Sequence, residues 1–247
     1  MKTSAPNRFI TFITLLLAAL ASSASASELI TNGGFEDGGG SFAGWTVLDQ
    51  AGGTGSWFIQ SGSGSPLNGF SVPPPPGPTH AAMTDQTGPG SHVMFQDFTV
   101  PIALDLATLQ FDLFLNNQAS DYFAPPTLDF NTTPNQQARV DIITTAADPF
   151  SVAAGDVLLN LYQTNPGDPL LSGYTTVSND LTVFLQAHLG ETLRLRFAEV
   201  DNQLFFDAGV DSVSLMIVPE PATWALTLGG IVLLLRGRRL LGRGPQS

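Results

Sequence analysis

Thr192 to Phe197 alternates polar and apolar residues one by one and Val210 to Ile217 does so over most of its length, and a two-residue period sends successive side chains to opposite faces of an extended strand. The same period runs through Leu109 to Leu115, Arg139 to Ile143 and Val157 to Tyr162. Turn formers separate these runs: Gly38 to Gly40, the Gly/Ser-rich stretch 52–69, Pro73 to Pro76, Asn165 to Pro169 and Gly190. Short strands broken by Gly and Pro, with no strand–helix–strand rhythm, predict an all-β antiparallel β-sandwich or barrel. One short helix is expected at 179–189, where Asn179 can cap a segment carrying Leu181, Phe184, Leu185 and His188. Pro73 to Pro76 predict a stiff polyproline II loop, and residues 119–137, with Pro125, Pro126 and Pro134, form a second long loop.

The two ends differ in character from this middle. Lys2 and Arg8 precede the apolar stretch Phe9 to Leu20, and Ala24-Ser25-Ala26 places small residues where a signal peptidase cuts. Residues 1–26 are therefore expected to be a signal peptide. At the other end, Val218-Pro219-Glu220-Pro221 interrupts the last strand, because proline lacks the ladder N–H. Ala222 to Leu235 is then apolar apart from Thr and Gly, and Arg236, Arg238, Arg239 and Arg243 follow. An apolar run closed by arginines suits a membrane bounded by an anionic leaflet, although its length falls short of the about 20 residues of a stable span. The expected order is 1–26 signal peptide, 27–217 β domain, and 218–247 tail with a membrane-anchor helix.

That tail resembles the PEP-CTERM protein-sorting signal of Gram-negative bacteria, with Pro219, Glu220 and Pro221 as its signature and Arg236, Arg238 and Arg239 as its basic end. The resemblance implies export, transient anchoring in the inner membrane, recognition by an exosortase-type membrane transpeptidase, and a final place in the cell envelope or extracellular matrix.

All 21 acidic residues lie between Glu28 and Glu220, where the only bases are Arg139, Arg194 and Arg196. Such a surface repels phosphate backbones, so nucleic acid is not an expected partner. The chain has no cysteine. Its exported domain must therefore be held by its core rather than by disulfides, and thiolate metal sites and thiol nucleophiles are excluded.

The opening Glu28-Leu29-Ile30-Thr31-Asn32-Gly33-Gly34-Phe35-Glu36, followed by Gly44-Trp45, is similar to the first strand and corner of galactose-binding-like jelly rolls, a fold used by many carbohydrate-binding modules. The close, Gly209 to Leu215, resembles the last strand of the same group. The resemblance implies a jelly-roll β-sandwich with its first and last strands side by side, and in several such families a structural calcium ion where they meet. Glu36 and Asp211 match the carboxylate positions of that site; calcium takes about six to eight hard oxygen ligands.

A sugar-binding face needs aromatic rings for C–H patches and amides or carboxylates for hydroxyls. Trp57, Tyr122 and Phe123 are the expected rings and Asn117 an expected polar partner. Trp45, Phe58 and Phe70 are further candidate rings, Trp45 being better placed for the core, and Asn116, Gln118 and Asp121 are further polar groups. No Gly-x-Ser-x-Gly elbow or phosphate-binding glycine loop occurs, and His80, His92 and His188 are too scattered for a known zinc motif. The sequence thus predicts no catalytic residues. It points to a non-catalytic envelope or biofilm-matrix protein that binds carbohydrate, such as the exopolysaccharide exported alongside it. A structural or adhesive matrix protein without a small ligand is the alternative, and a glycoside hydrolase built on two unassigned carboxylates comes after both.

Overall fold

A computed structural model describes residues 25–219. The expected signal peptide up to residue 24 and the tail from Glu220 onward, including Pro221, Arg236, Arg238 and Arg239, lie outside the described residues, as does the expected anchor helix. Pro219 is the last residue described.

Eleven strands form the domain: β1 (Ser27–Glu28), β2 (Thr46–Asp49), β3 (Ser56–Ser61), β4 (His80–Asp85), β5 (Gly90–Thr99), β6 (Leu106–Asn117), β7 (Gln136–Thr144), β8 (Val157–Gln163), β9 (Thr175–Asp180), β10 (Thr192–Asp201) and β11 (Phe206–Val218). They make two sheets, one ordered β3-β4-β11-β6-β9 with β1 added beside β11, the other β2-β5-β10-β7-β8. Every pairing between strands is antiparallel. The expected sandwich is present, and its first and last strands are neighbours, Ser27 opposite Ile217.

Between the sheets, Leu109, Phe111, Leu113 and Leu115 of β6 meet Leu193, Leu195 and Phe197 of β10 in one continuous core. Trp45 joins it beside Phe35 and Phe197, with ring centroids 5.6 and 5.9 Å away, and its indole N–H donates to the Asn32 carbonyl. Its place after the glycine-rich corner predicts that burial.

Two departures from the sequence reading have physical causes. Arg139 to Ile143 and the second half of β10 are buried on both faces rather than one. The outer face of their sheet is roofed by the long loops, whose Leu128, Phe130, Phe150 and Val152 pack on Val93, Phe95, Ala198 and Val200. The helix, α1 (Thr182–Gln186), is shorter than expected. Asn179 remains in β9 and does not cap it; the Asp180 carboxylate takes the Thr182 N–H instead.

The alternation of Val210 to Ile217 is also broken once. Pairing of β11 with β6 shifts between Asp211 and Ser214, and Ser212 adopts φ of 53°, so the extra residue forms a bulge. Val213 loses its ladder acceptor there and donates instead to the Gly33 carbonyl at 2.9 Å. The first loop thereby repairs the last strand. A Cβ on Gly33 would stand 1.8 Å from the Val213 carbonyl oxygen, so Gly33→Ala should destabilise the domain by about 1–3 kcal/mol, as overpacking does. Urea unfolding checks this, and an unchanged midpoint would remove the loop from the list of elements that hold the sandwich.

Candidate functional site

The structure does not bring the expected sugar-binding residues to one open surface. Trp57 is 3% exposed and packs into the core from β3. Tyr122 is fully buried against Phe206 and its hydroxyl donates to the Pro169 carbonyl. Asn117 is spent inside the fold: its amide donates to the Asp121 carbonyl while its oxygen accepts from Ala119 N–H and Gln136 Nε2. Phe123 is half-buried and its backbone bridges to Gln136. Rings in a proline-bordered loop looked available because sequence cannot show that this loop folds back to cover a sheet. Trp57, Tyr122 and Asn117 are therefore core-supporting residues, which corrects the expectation that they face a ligand.

Exposed aromatic surface lies elsewhere, at the end of the sandwich where β10 turns into β11. Phe70 is 43% and Leu204 57% exposed. The Phe70 and Phe205 rings meet edge-on with centroids 5.8 Å apart. Beside them is a pocket of about 200 Å³ lined by Gly88, Pro89, Asp201 and the run Asn202 to Phe205. Phe70 was legible as a candidate ring; Gln203, Leu204 and Phe205 were not, because only the fold closes the 202–205 turn against the loop carrying Phe70.

That turn is held from beneath. Gln136, wholly buried, accepts from the N–H groups of Asn202 and Gln203 and donates to the Leu204 carbonyl. Asn202 donates to the carbonyls of Phe130 and Thr132. On the other rim, the buried Asp85 carboxylate accepts from the N–H groups of Leu67 and Asn68, and Ser65 and Phe70 bond each other. Both rims are fixed before any ligand arrives, which lowers the ordering cost of binding. Flat apolar rings beside a polar turn can stack on sugar C–H faces while amides take hydroxyls.

The two expected calcium ligands, Glu36 and Asp211, both border Gly34. A side chain on Gly34 would touch both, 3.8 Å from Asp211 Oδ1 and 3.9 Å from Glu36 Cγ. Their protein partners differ. Glu36 accepts four bonds, from the N–H groups of Thr79 and His80, from Thr79 Oγ1 and from His80 Nδ1. Those bonds, led by the Thr79 hydroxyl, hold its pKa down at about 2. Asp211 accepts one bond at each oxygen, from Gly77 and Ser212 N–H, which leaves lone pairs for a cation. Burial raises its pKa to about 6 despite those bonds.

No protein-family model and no curated protein matches the chain. Solved structures with similar strand layouts include the carbohydrate-binding module TmCBM61 in complex with β-1,4-galactotriose, at 10% identity over 76% of this chain and 97% of that one, with a TM-score of 0.44. A cleaved adhesin domain of Lys-gingipain from Porphyromonas gingivalis matches at 11% identity over 79% of this chain and 99% of that one, TM-score 0.44. A Stig cyclase from Fischerella sp. TAU matches at 14% identity over 79% and 99%, TM-score 0.45. Likeness at this level assigns no ligand.

Proposed function

We propose that this chain is an exported, non-catalytic jelly-roll protein of the cell envelope or biofilm matrix that binds carbohydrate at the Phe70–Phe205 rim. The observation that carries the reading is the exposed Phe70 ring against the half-buried Phe205 ring, beside a pocket whose 202–205 wall is held by buried Gln136, with Asp85 holding the loop that carries Phe70. Signal peptidase and an exosortase-type transpeptidase are the proposed processing partners, with the membrane as a temporary anchor at the tail and exopolysaccharide as the ligand class. The support for that route is the order of charged, apolar and proline-bounded segments at the two ends of the sequence.

A glycan array probed with the protein recovered from its host tests the binding reading. Signal for a polysaccharide class is expected, and Phe70→Ala should reduce it at least tenfold with the thermal midpoint unchanged, because the ring is largely outside the core. Stacking energies of about 1–3 kcal/mol per ring make an effect of that size reasonable. Absence of signal in the parent protein favours the structural or adhesive matrix role.

Calcium between Asp211 and Glu36 belongs to the same proposal. Binding there would replace the Thr79 hydroxyl and His80 ring at Glu36 with a cation and relieve the repulsion between the two carboxylates. Thermal unfolding with and without a calcium chelator should then differ by several degrees, since a ligand specific to the folded state stabilises it by mass action. Equal melting curves would remove both residues from any metal site.

A further inference from the structure

The inner face of the second sheet contains a group that hydrophobic packing does not explain. His92 on β5 lies directly opposite Glu199 on β10, and Asp201 follows two residues later on the same face, opposite Gly90. All three are buried, with Glu199 at 0%, His92 at 1% and Asp201 at 3% exposure. One ligand atom of each lies within 4.8 Å of those of the others. Among the described residues neither Glu199 oxygen has a hydrogen-bond partner, and neither does His92 Nε2. Buried carboxylates left without donors are among the rarest arrangements in folded proteins, because nothing replaces the water they lose.

The histidine is aimed. Its Nδ1 lies 2.8 Å from Asp49 Oδ1 on the neighbouring strand β2. With Nδ1 donating to Asp49, Nε2 is the ring atom left to face Glu199 and Asp201. A carboxylate behind a histidine is the usual outer support of a metal-bound imidazole. Gly90 makes the space: a Cβ there would come 2.5 Å from His92 Nε2. Asp201 also lines the pocket of about 200 Å³ at the end of the sandwich, so one of the three ligand residues borders that opening.

We propose that His92 Nε2, Glu199 and Asp201 bind one divalent transition cation of the zinc type, with Asp49 orienting the histidine. One imidazole and two carboxylates suit zinc, which accepts mixed nitrogen and oxygen donors in a four-coordinate shell. The all-oxygen preference of calcium does not. The site is separate from Glu36 and Asp211. It lies behind the floor of the Phe70–Phe205 pocket and would tie β5 to β10 and to the 202–205 turn.

Equilibrium dialysis of chelator-stripped full-length protein against zinc, in excess calcium and with metal counted by mass spectrometry, tests this. One zinc per chain is expected, with affinity reduced at least tenfold by Asp49→Asn, the loss typical of outer-support residues. Glu199→Gln and His92→Gln should abolish uptake. Asp49 is at the surface, so its variant keeps the test valid if a core variant fails to fold. No zinc uptake by the parent, or uptake equal in the parent and Asp49→Asn, overturns the proposal.

Discussion

Asp141→Ala should destabilise the domain by about 3–5 kcal/mol, the cost of stranding buried charge. Asp141 and Arg196 are both wholly buried on the outer face of the second sheet. Arg139 grips both carboxylate oxygens at 2.7 Å, and Arg196 Nη2 and Asn160 Nδ2 complete the shell. Burial alone would raise the Asp141 pKa, but the two guanidinium groups overrule it and hold the carboxyl below its usual range. Arg196 also donates to the carbonyls of Pro149 and Ser151, so the roof loop over this sheet is tied to the same charge. Loss of Asp141 leaves two arginines facing each other in a dry layer. Urea unfolding reads the effect, and replacing Asp141, Arg139 and Arg196 together by apolar residues of similar size should recover much of it, since a buried ionic cluster as a whole contributes little net stability. A loss under 1 kcal/mol for the single variant would mean that water reaches the site.

Raising the pH from about 4 to about 7 should weaken the fold. Asp207 on β11 is 2% exposed. Among the described residues its side-chain support is one long bond of 3.3 Å from Asn116 Nδ2. Burial, reinforced by the nearby Asp85 charge, raises its pKa from 3.8 to about 7. A raised carboxyl binds its proton more tightly in the folded state. Its contribution is complete below the unfolded value and is lost as pH rises through the folded one. At about 1.4 kcal/mol per unit, the shift corresponds to about 4 kcal/mol across that interval. Glu36 and Asp141 act in the opposite sense: both are lowered, so their contribution is present above the unfolded value near 4 and is lost in stronger acid. Asp207→Asn keeps the side chain neutral at every pH. The parent's urea midpoint should therefore fall between pH 4.5 and 8 more steeply than the variant's. Parallel slopes would show that Asp207 is ionised in the fold at no cost.

The sheets were legible because alternation is local. Leu109 to Leu115 and Thr192 to Phe197 carry their period in consecutive residues, and the sandwich follows from such runs separated by glycine and proline. Burial on the second face was not legible, because it depends on where the 119–137 and 145–153 segments come to rest. The same dependence explains the ligand residues. Tyr122 and Phe70 look alike in sequence, each an aromatic residue in an irregular stretch, yet one meets Phe206 in the core and the other meets Phe205 at the rim. His92 was legible only as an isolated histidine, since its meeting with Glu199 is set by register across a separation of more than a hundred residues. Glu36 and Asp211, by contrast, were named from a resemblance that spans both ends of the domain, and a Cβ on Gly34 would lie within 4 Å of both side chains.

Electrophoresis through a gel cast with the host's own exopolysaccharide tests most directly whether this sandwich is a carbohydrate binder with its site at the Phe70–Phe205 rim. The parent should be retarded relative to its migration in a plain gel, and the double variant Phe70→Ala, Phe205→Ala should migrate as if no polysaccharide were present. Equal migration of the parent in both gels, or equal retardation of parent and variant, would contradict the account.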